Sequence, residues 1–338
     1  MNAHRMVIIA AALTVVVAAA LATALAAFGG QALPRAVRHD LSGASGTALV
    51  ITGNVNASQG AQYTSQLPGM ISSALAGTPF AFYHAYWSDP LGFVPGSQPA
   101  PPPSAGNQSI AEAAVLGGIA AHAVLTSGRW PGGPTSGQPH GIIPAALPAS
   151  AAALLHVTDG DTLRMKDRIS GQYVRFLVTG LYRPRQVSSE YWNLNDIALT
   201  GSSTASGFTT YGPLAVQAGA FAGPSGALAV YQGSWLAQPQ TASIPARELG
   251  TVAGRVDALR QTLQNAEQLP DLALTTSLPS VLNGTASNLD VARSLLAISA
   301  VLLSLLAAAA LLAVARLLAG QREGESAMLT ARGATRWQ

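Results

Sequence analysis

The side chains best suited to chemistry in this chain are its histidines and its closely spaced aspartates. The six histidines stand at positions 4, 39, 84, 122, 140 and 156, and no two of them have the spacing of a metal-binding pair. Asp159, Asp161 and Asp167 could meet at a hard cation. A turn followed by a solvated hairpin explains them better, because a calcium site needs more oxygen ligands. There is no cysteine, which excludes disulfides, thiolate metal sites and a cysteine nucleophile.

Sequence motifs for nucleotide or acyl chemistry are also missing. Lys166, the single lysine, follows Met165 rather than a glycine, so there is no Walker A loop, and no G-x-S-x-G segment occurs. His84 stands among Phe80, Phe82, Tyr83, Tyr86 and Trp87. These rings could line a pocket, but an aromatic stretch is more often part of a core. We therefore expect neither a membrane-anchored enzyme nor a cofactor or metal site.

Two uncharged runs rich in leucine and alanine frame the chain. Met6 to Phe28 comprises 23 residues, and Ser294 to Ala315 comprises 22. A helix of about 20 residues is long enough to cross a bilayer. A cleaved signal peptide is the alternative for the first run, but its length favours a membrane anchor. We expect transmembrane helices at residues 6–28 and 294–318, in preference to buried core helices.

The net charge of the chain resides at its two ends. Residues 29–293 hold 13 basic and 13 acidic side chains, so the whole excess of +3 lies outside this segment. Basic residues beside a span stay in the cytoplasm. We expect a multi-pass protein of the cell membrane, with cytoplasmic residues 1–5 and 319–338 and an extracytoplasmic segment at 29–293. No basic stripe with interleaved aromatic residues is visible along the sequence, so nucleic acid is not an expected partner.

The periodicity of residues 29–293 predicts a mixed domain of helices and strands. The expected helices cover 33–41, 110–125, 148–156 and 246–268, and a further helix runs from Leu278 into the second span. The expected strands cover 47–55, 162–165, 174–182 and 272–276, with loops at 94–107 and 128–144. The seam Leu249, Val252, Val256, Leu259, Leu263 and Ala266 indicates either a core helix or a helix beside a membrane stalk. The expected fold is an α+β membrane protein, in which two transmembrane helices flank a large extracytoplasmic α/β domain with helical stalks.

The segment after the second run carries the most specific pattern. It contains Arg322, Glu323, Glu325, Ala327, Leu329, Ala331, Arg332, Gly333, Ala334 and Gln338. This series resembles the cytoplasmic motif of FtsX-like/MacB-type ABC transporter permeases, from which Met328, Thr330 and Thr335 depart. Residues 86–92, 127–131, 160–163 and 180–184 are similar to outer segments of large permeases of this family from GC-rich bacteria.

The resemblance implies a permease subunit without chemistry of its own. It would couple ATP hydrolysis by a separate cytoplasmic ATPase to substrate export or force transmission. The implied ATPase-coupling residues are Arg322, Glu323, Glu325, Met328, Leu329, Arg332, Gly333 and Arg336. Membrane lipid and a second permease would be further partners. Because the family usually has four or more spans, the chain would be the front part of a longer permease, with its coupling segment truncated. The alternative is a two-span sensor or scaffold whose outer domain binds a ligand or a protein.

Overall fold

The structure, a computed structural model, describes residues 32–95, 107–132, 141–221, 228–265 and 272–331, with scattered residues between 13 and 27. The chain divides into two compact units. One unit comprises residues 1–42 and 284–338, and its described part is helical. The other comprises residues 43–283 and contains the β-sheet.

The α-helices of the described residues are α1 (Leu33–Gly43), α2 (Ala57–Ala74), α3 (Ile119–His122), α4 (Ala149–Leu155), α5 (Ile197–Thr200), α6 (Leu249–Asn265) and α7 (Leu278–Ala331). Short 3-10 helices occur at Glu190–Leu194, Ala218–Ala220 and Thr241–Ser243. Helix α2 has a capping box, in which Asn56 and Gln59 exchange side chain to backbone hydrogen bonds.

The strands of the second unit are β1 (Leu49–Asn54), β2 (Phe80–Ser88), β3 (Leu91–Phe93), β4 (Gln108–Leu116), β5 (Ala123–Gly128), β6 (Ile142–Pro148), β7 (Thr162–Asp167), β8 (Tyr173–Pro184), β9 (Ser202–Ala205), β10 (Phe208–Ala215), β11 (Val230–Pro239) and β12 (Ala273–Thr275). They form one sheet.

Six of these strands close into a ring. The order is β4-β3-β7-β8-β6-β10, and β10 pairs again with β4. Two contacts of the ring are parallel, β4 with β10 and β6 with β8, and the others are antiparallel. Beyond β4 the sheet continues as an antiparallel extension, β2-β11-β1-β12. Strand β4 therefore joins the ring to the extension.

The interior of the ring is filled by apolar side chains from all six strands. Buried residues of this core include Leu91, Ala113, Ile143, Leu163, Met165, Val174, Phe176, Val178 and Leu214. Successive side chains of a strand point to opposite faces, so β7 and β8 alternate between buried and outward positions. The ring is thus a packed core rather than a channel.

A second core lies on other faces of the same strands. Ala114, Leu116, Tyr182, Tyr191 and Trp192 are among its buried members. Two of these rings come from the 3-10 helix at Glu190–Leu194, which covers this side of the sheet. Strand β4 therefore contributes small side chains to both cores, since Ala113 faces one and Ala114 the other.

The structure brings together two of the stretches that resemble the permease family. Residues 127–131 and 180–184 meet where β5 pairs with β8. The Arg129 amide donates to the Thr179 carbonyl over 2.8 Å, and the Trp130 and Tyr182 rings lie 5.6 Å apart. A Cβ atom on Gly180 would stand 2.5 Å from the Arg129 carbonyl oxygen, so the backbones touch directly. These two stretches therefore pack directly against each other in the sheet.

Several sequence predictions are confirmed. Strands were expected at 47–55, 162–165, 174–182 and 272–276, and β1, β7, β8 and β12 lie there. The predicted short helices match α1 and α4. The seam of α6 is buried from Leu249 to Leu263, while Ala266 lies outside the described residues. Helix α6 packs with α2 and β12 of its own unit, which supports its interpretation as a core helix.

The helix predicted at residues 110–125 is wrong. This segment forms β4, a four-residue helix and β5. Its alanines favour a helix in isolation, but burial on both faces of β4 outweighs that preference. The loop predicted at 128–144 is also too long, because Ile142, Ile143 and Pro144 belong to β6. Most of the loop predicted at 94–107 lies outside the described residues.

Gly128→Ala should destabilise the second unit by about 2–4 kcal/mol. Gly128 has a φ of +67°, and an added Cβ atom would lie 2.3 Å from the Thr179 carbonyl oxygen. The matched control is Gly132→Ala, because nothing lies within 4 Å of a Cβ atom there. Urea unfolding of the full chain in detergent, followed by tryptophan fluorescence, measures both variants. Equal stabilities would contradict the close packing of β5 on β8.

Candidate functional site

Five of the eight predicted coupling residues lie at the far end of α7. Residues 322, 323, 325, 328 and 329 belong to its helical backbone. Arg332, Gly333 and Arg336 lie outside the described residues. The helix passes the predicted boundary at 318/319 without interruption. The second predicted span and the start of the coupling segment are therefore parts of one helix.

Helix α7 is the one helix in the described part of the chain that is long and apolar enough to cross a membrane, within residues 278–313. Its large apolar side chains are exposed in this chain, with Leu295 60% and Leu306 71% accessible. A contiguous apolar surface of this kind needs lipid or a protein partner to cover it. The finding is consistent with membrane association.

The first predicted span, residues 6–28, lies largely outside the described residues. Its described positions between 13 and 27 are helical. Together with α7, four of them border an apolar groove of about 210 Å³, which is lined by Leu13, Val17, Ala18, Leu21, Leu303, Leu306, Ala307 and Ala310. The spacing of these residues is that of two helix faces. The described part of the first run thus lies beside α7 within the same unit.

The start of α7 is fixed by a small polar joint within the second unit. The Ser277 amide and hydroxyl both donate to the Gly46 carbonyl oxygen, the amide over 3.1 Å. The Leu278 amide donates to the Thr276 hydroxyl over 3.1 Å. Arg260 of α6 donates to the Thr276 carbonyl oxygen over 3.3 Å and to Asp257 over 2.8 Å. The joint, defined here as Gly46, Asp257, Arg260, Thr276 and Ser277, therefore ties the beginning of α7 to α6 and to the entry of β1.

The first turns of α7 are buried along one face only. Leu278, Leu282, Thr285 and Leu289 are buried, at intervals of four, three and four residues. From Val291 onward most of the large apolar side chains are exposed. The same helix therefore begins with one buried face and continues with most of its large apolar side chains exposed, while Leu296 and Leu303 are partly covered.

The aromatic residues of β2 around His84 form packing contacts with α2 and β11. The Tyr86 hydroxyl donates to the Gly60 carbonyl oxygen over 2.9 Å and also contacts the Thr64 hydroxyl. Trp235 donates from Nε1 to that same Thr64 hydroxyl over 2.7 Å. Burial lowers the pKa of His84, which favours its neutral form. The rings of this stretch therefore serve packing on a partly buried strand, with Trp87 as the buried member.

A second aromatic group surrounds His122. Its ring stacks on Tyr191 at 3.9 Å with an interplanar angle of 4°, and Tyr83 meets both rings edge-on. The Tyr191 hydroxyl donates to the Gly117 carbonyl oxygen over 3.1 Å. Burial lowers the pKa of His122 and raises that of Tyr191 and of Tyr182. All three side chains are thus favoured in their neutral forms, as in a packed core.

The aspartates considered as cation ligands serve their own turns. One Asp161 carboxylate oxygen accepts from the Thr158 amide over 2.7 Å and from its hydroxyl over 2.9 Å. Asp167 accepts from the amides of Ile169 and Ser170 over 2.8 and 3.1 Å. Among the residues that the structure describes, no group of three histidine, cysteine, aspartate or glutamate side chains could hold a metal ion.

Sequence reasoning missed the joint at the start of α7 and the group around His122. Both are assembled from segments far apart in the chain, such as Gly46 with Ser277 and Gly117 with Tyr191. Neither contains a motif with a fixed spacing. The glycine at position 46 was the one local signal available, since glycine adopts without strain the positive φ found there.

Acidification from pH 7.5 to 5.5 should lower the free energy of unfolding. Burial holds the pKa of His122 and His84 below 6.5, so the unfolded chain takes up protons first. The stability due to neutral histidine is complete above pH 6.5 and is lost as the pH falls through the folded-state pKa. His122→Phe should flatten this dependence in urea unfolding at each pH.

Asp89 and Glu112 act in the opposite sense, because burial raises their pKa and their protonation stabilises the folded chain. The test therefore compares the variant with the parent chain in the slope of the free energy of unfolding against pH, and does not rely on the slope of either protein alone. An unchanged slope in His122→Phe would show that His122 does not contribute.

Gly46→Ala should loosen the joint at the start of α7. Gly46 has a φ of +72°, and an added Cβ atom would lie 2.5 Å from the Ser277 hydroxyl. We expect a loss of about 2 kcal/mol, from backbone strain and a weakened hydrogen bond. The loss should be smaller in a Ser277→Ala background, which a double-mutant cycle measures. Gly250→Ala in α6 is the control, since nothing lies within 4 Å there. Additive effects at 46 and 277 would contradict the contact.

No protein-family model matches the chain, and no curated protein is similar to it.

Proposed function

We propose that this chain is the permease subunit of an FtsX-like ABC transporter. It would couple ATP hydrolysis by a separate cytoplasmic ATPase to export or to force transmission across the cell membrane. In this proposal residues 6–28 and 294–318 cross the membrane, and residues 29–293 lie outside the cytoplasm. The chain itself performs no catalysis.

The observation that carries the proposal is the continuity of α7. Its 54 residues correspond to about 80 Å at 1.5 Å per residue. Residues 322–329, which resemble the family's ATPase-facing motif, belong to the same helix as Leu278 beside the joint. Because a continuous helix resists bending, a displacement applied at one end is transmitted to the other end. This is the element that a coupling subunit requires.

The mechanism follows from the two ends of this helix. Nucleotide-driven closure of the ATPase would displace residues 322–336 through paired charges at Glu323, Glu325 and Arg332. The displacement would reach the joint, where Ser277 bonds to the Gly46 carbonyl oxygen and Thr276 to Arg260. Because Arg260 belongs to α6, the motion would pass to α6 and to the strand β12 on which it packs.

Charge reversal in the coupling segment tests the proposal. Glu325→Arg combined with Arg332→Glu, in the full chain expressed in its native membrane, should weaken association with an ATPase subunit at least tenfold. The matched control reverses Asp290 and Arg293, an exposed pair 3.7 Å apart near the start of the same helix. The control should leave association unchanged. Association is measured by nucleotide-dependent co-purification from the native membrane.

Two outcomes would contradict the coupling role. Equal association of both double variants would show that the segment does not contact the ATPase. Failure of the unmodified chain to associate with any ATPase would favour the two-span sensor or scaffold, since only the permease requires that partner.

A further inference from the structure

The outward face of the β7–β8 hairpin is strongly basic. Arg164, Lys166 and Arg175 are exposed, as is Arg168 at the turn. In the register of the two strands Arg164 stands opposite Arg175, and Lys166 stands opposite Tyr173. We call these five residues the basic face.

Three of the four cations of the basic face contact aromatic rings. The Arg164 guanidinium lies 4.9 Å from the centre of the Tyr173 ring, and the Lys166 ammonium lies 5.8 Å from it. Arg168 reaches over Phe208 of β10 at 4.8 Å. Such contacts restrict long side chains before any ligand arrives, which lowers the entropy cost of binding.

The positive charge of this face is not neutralised by the described part of the chain. None of the four cations forms an ion pair there, whereas Arg247, Arg260 and Arg293 do. Asp167, the acidic residue of the hairpin, is buried and bonds to its own turn. Like charges directly opposite each other destabilise a sheet. The Arg164–Arg175 pair is therefore unfavourable unless an anion lies between or above the two side chains.

The basic face is not apparent in the sequence alone. A basic stripe with interleaved aromatic residues was not visible along the chain. The fold creates one, because the register of β7 on β8 brings Arg175 and Tyr173 beside Arg164 and Lys166. Phe208 joins them from a strand some 40 residues away in sequence.

We propose that the basic face binds a linear polyanion whose charges are phosphodiester groups. Arg164 and Lys166 are two residues apart in β7, which places them about 6.7 Å apart along the extended strand, and Arg168 follows at the turn. A row of cations on an open surface matches a chain of anions better than a single small ion. Arginine binds phosphate oxygens through its planar fork, and three of the four cations are arginines.

An acidic peptide fits this face less well. Strand β7 is paired on both sides, with β3 and β8, and β8 is paired with β7 and β6. Strand β3 covers residues 165–167 and β6 covers β8 from Arg175 onward. The hairpin therefore offers only short stretches of edge for backbone pairing, which is how extended peptides gain affinity on a sheet.

The basic face also lies far along the sheet from the strand that leads into α7. In the strand order, β7 is separated from β12 by β1, β11, β2, β4 and β3. At about 4.8 Å per strand, this is about 29 Å along the sheet. Strand β12 leads directly into α7. The basic face therefore lies in a part of the sheet remote from the start of the apolar helix.

The test measures binding of the full chain in zwitterionic nanodiscs to poly(glycerol phosphate) of defined length at several salt concentrations. Four phosphate contacts predict a slope of log K against log salt of about −3, and removal of two predicts about −1.4. Arg164→Gln combined with Arg175→Gln should produce this change. Its free energy of unfolding should change little, because the repulsion that the variant removes offsets the lost Arg164–Tyr173 contact.

Two further variants separate the basic face from net charge. Arg255→Gln, on the exposed side of α6, should leave the slope unchanged. Tyr173→Leu keeps every charge but removes the ring, so affinity should fall about two- to fivefold with the slope retained.

Three results would overturn the proposal, and all are independent of the transporter role. The first is an unchanged slope in the double arginine variant. The second is equal affinity for polyglutamate, which would indicate an acidic protein partner. The third is binding to vesicles of anionic phospholipid without binding to the polymer, which would indicate a membrane surface.

Discussion

The architecture of the second unit depends on a strand that is buried on both faces. Strand β4 pairs with β2, β3 and β10, and so belongs to the ring and to the antiparallel extension at once. Its side chains enter two different cores, which leaves room for little more than alanine at 111, 113 and 114. Larger residues here would force one core away from the other, because interiors are close-packed.

The same constraint explains where the sequence was informative and where it was not. Strands β7 and β8 have one outward face, so their alternation was readable from Val174, Phe176 and Val178. Strand β4 has no outward face, so its alanine-rich sequence suggested a helix instead. The seam of α6 was predictable for the same reason, because only one face of this helix is buried. The joint at Ser277, the group around His122 and the basic face depend on register and long-range pairing, which no local pattern contains.

Helix α7 changes its surroundings without changing its structure. It starts with one buried face, passes through a stretch with exposed apolar side chains, and continues into the charged segment. Ser277, at its beginning, donates hydrogen bonds to the backbone carbonyl of residue 46. Residue 46 contributes no side chain to this contact, but its positive φ favours glycine. For the proposed permease, this means that the transmission of motion to the second unit depends on backbone hydrogen bonds at the start of α7. The choice of ATPase partner would depend on the charged side chains at its other end.

The position of β11 and β12 has a consequence for the order of synthesis. Strand β11 lies between β1 and β2, which precede it by more than 140 residues, and β12 pairs with β1 just before α7 begins. The first strands made therefore wait with unpaired edges until the last ones emerge. Pairing between such distant segments is slow, because long loops must close first. The antiparallel extension is thus completed only when the apolar helix is about to be synthesised. A nascent chain interrupted before residue 273 would lack β12 and would leave an edge of β1 open to aggregation.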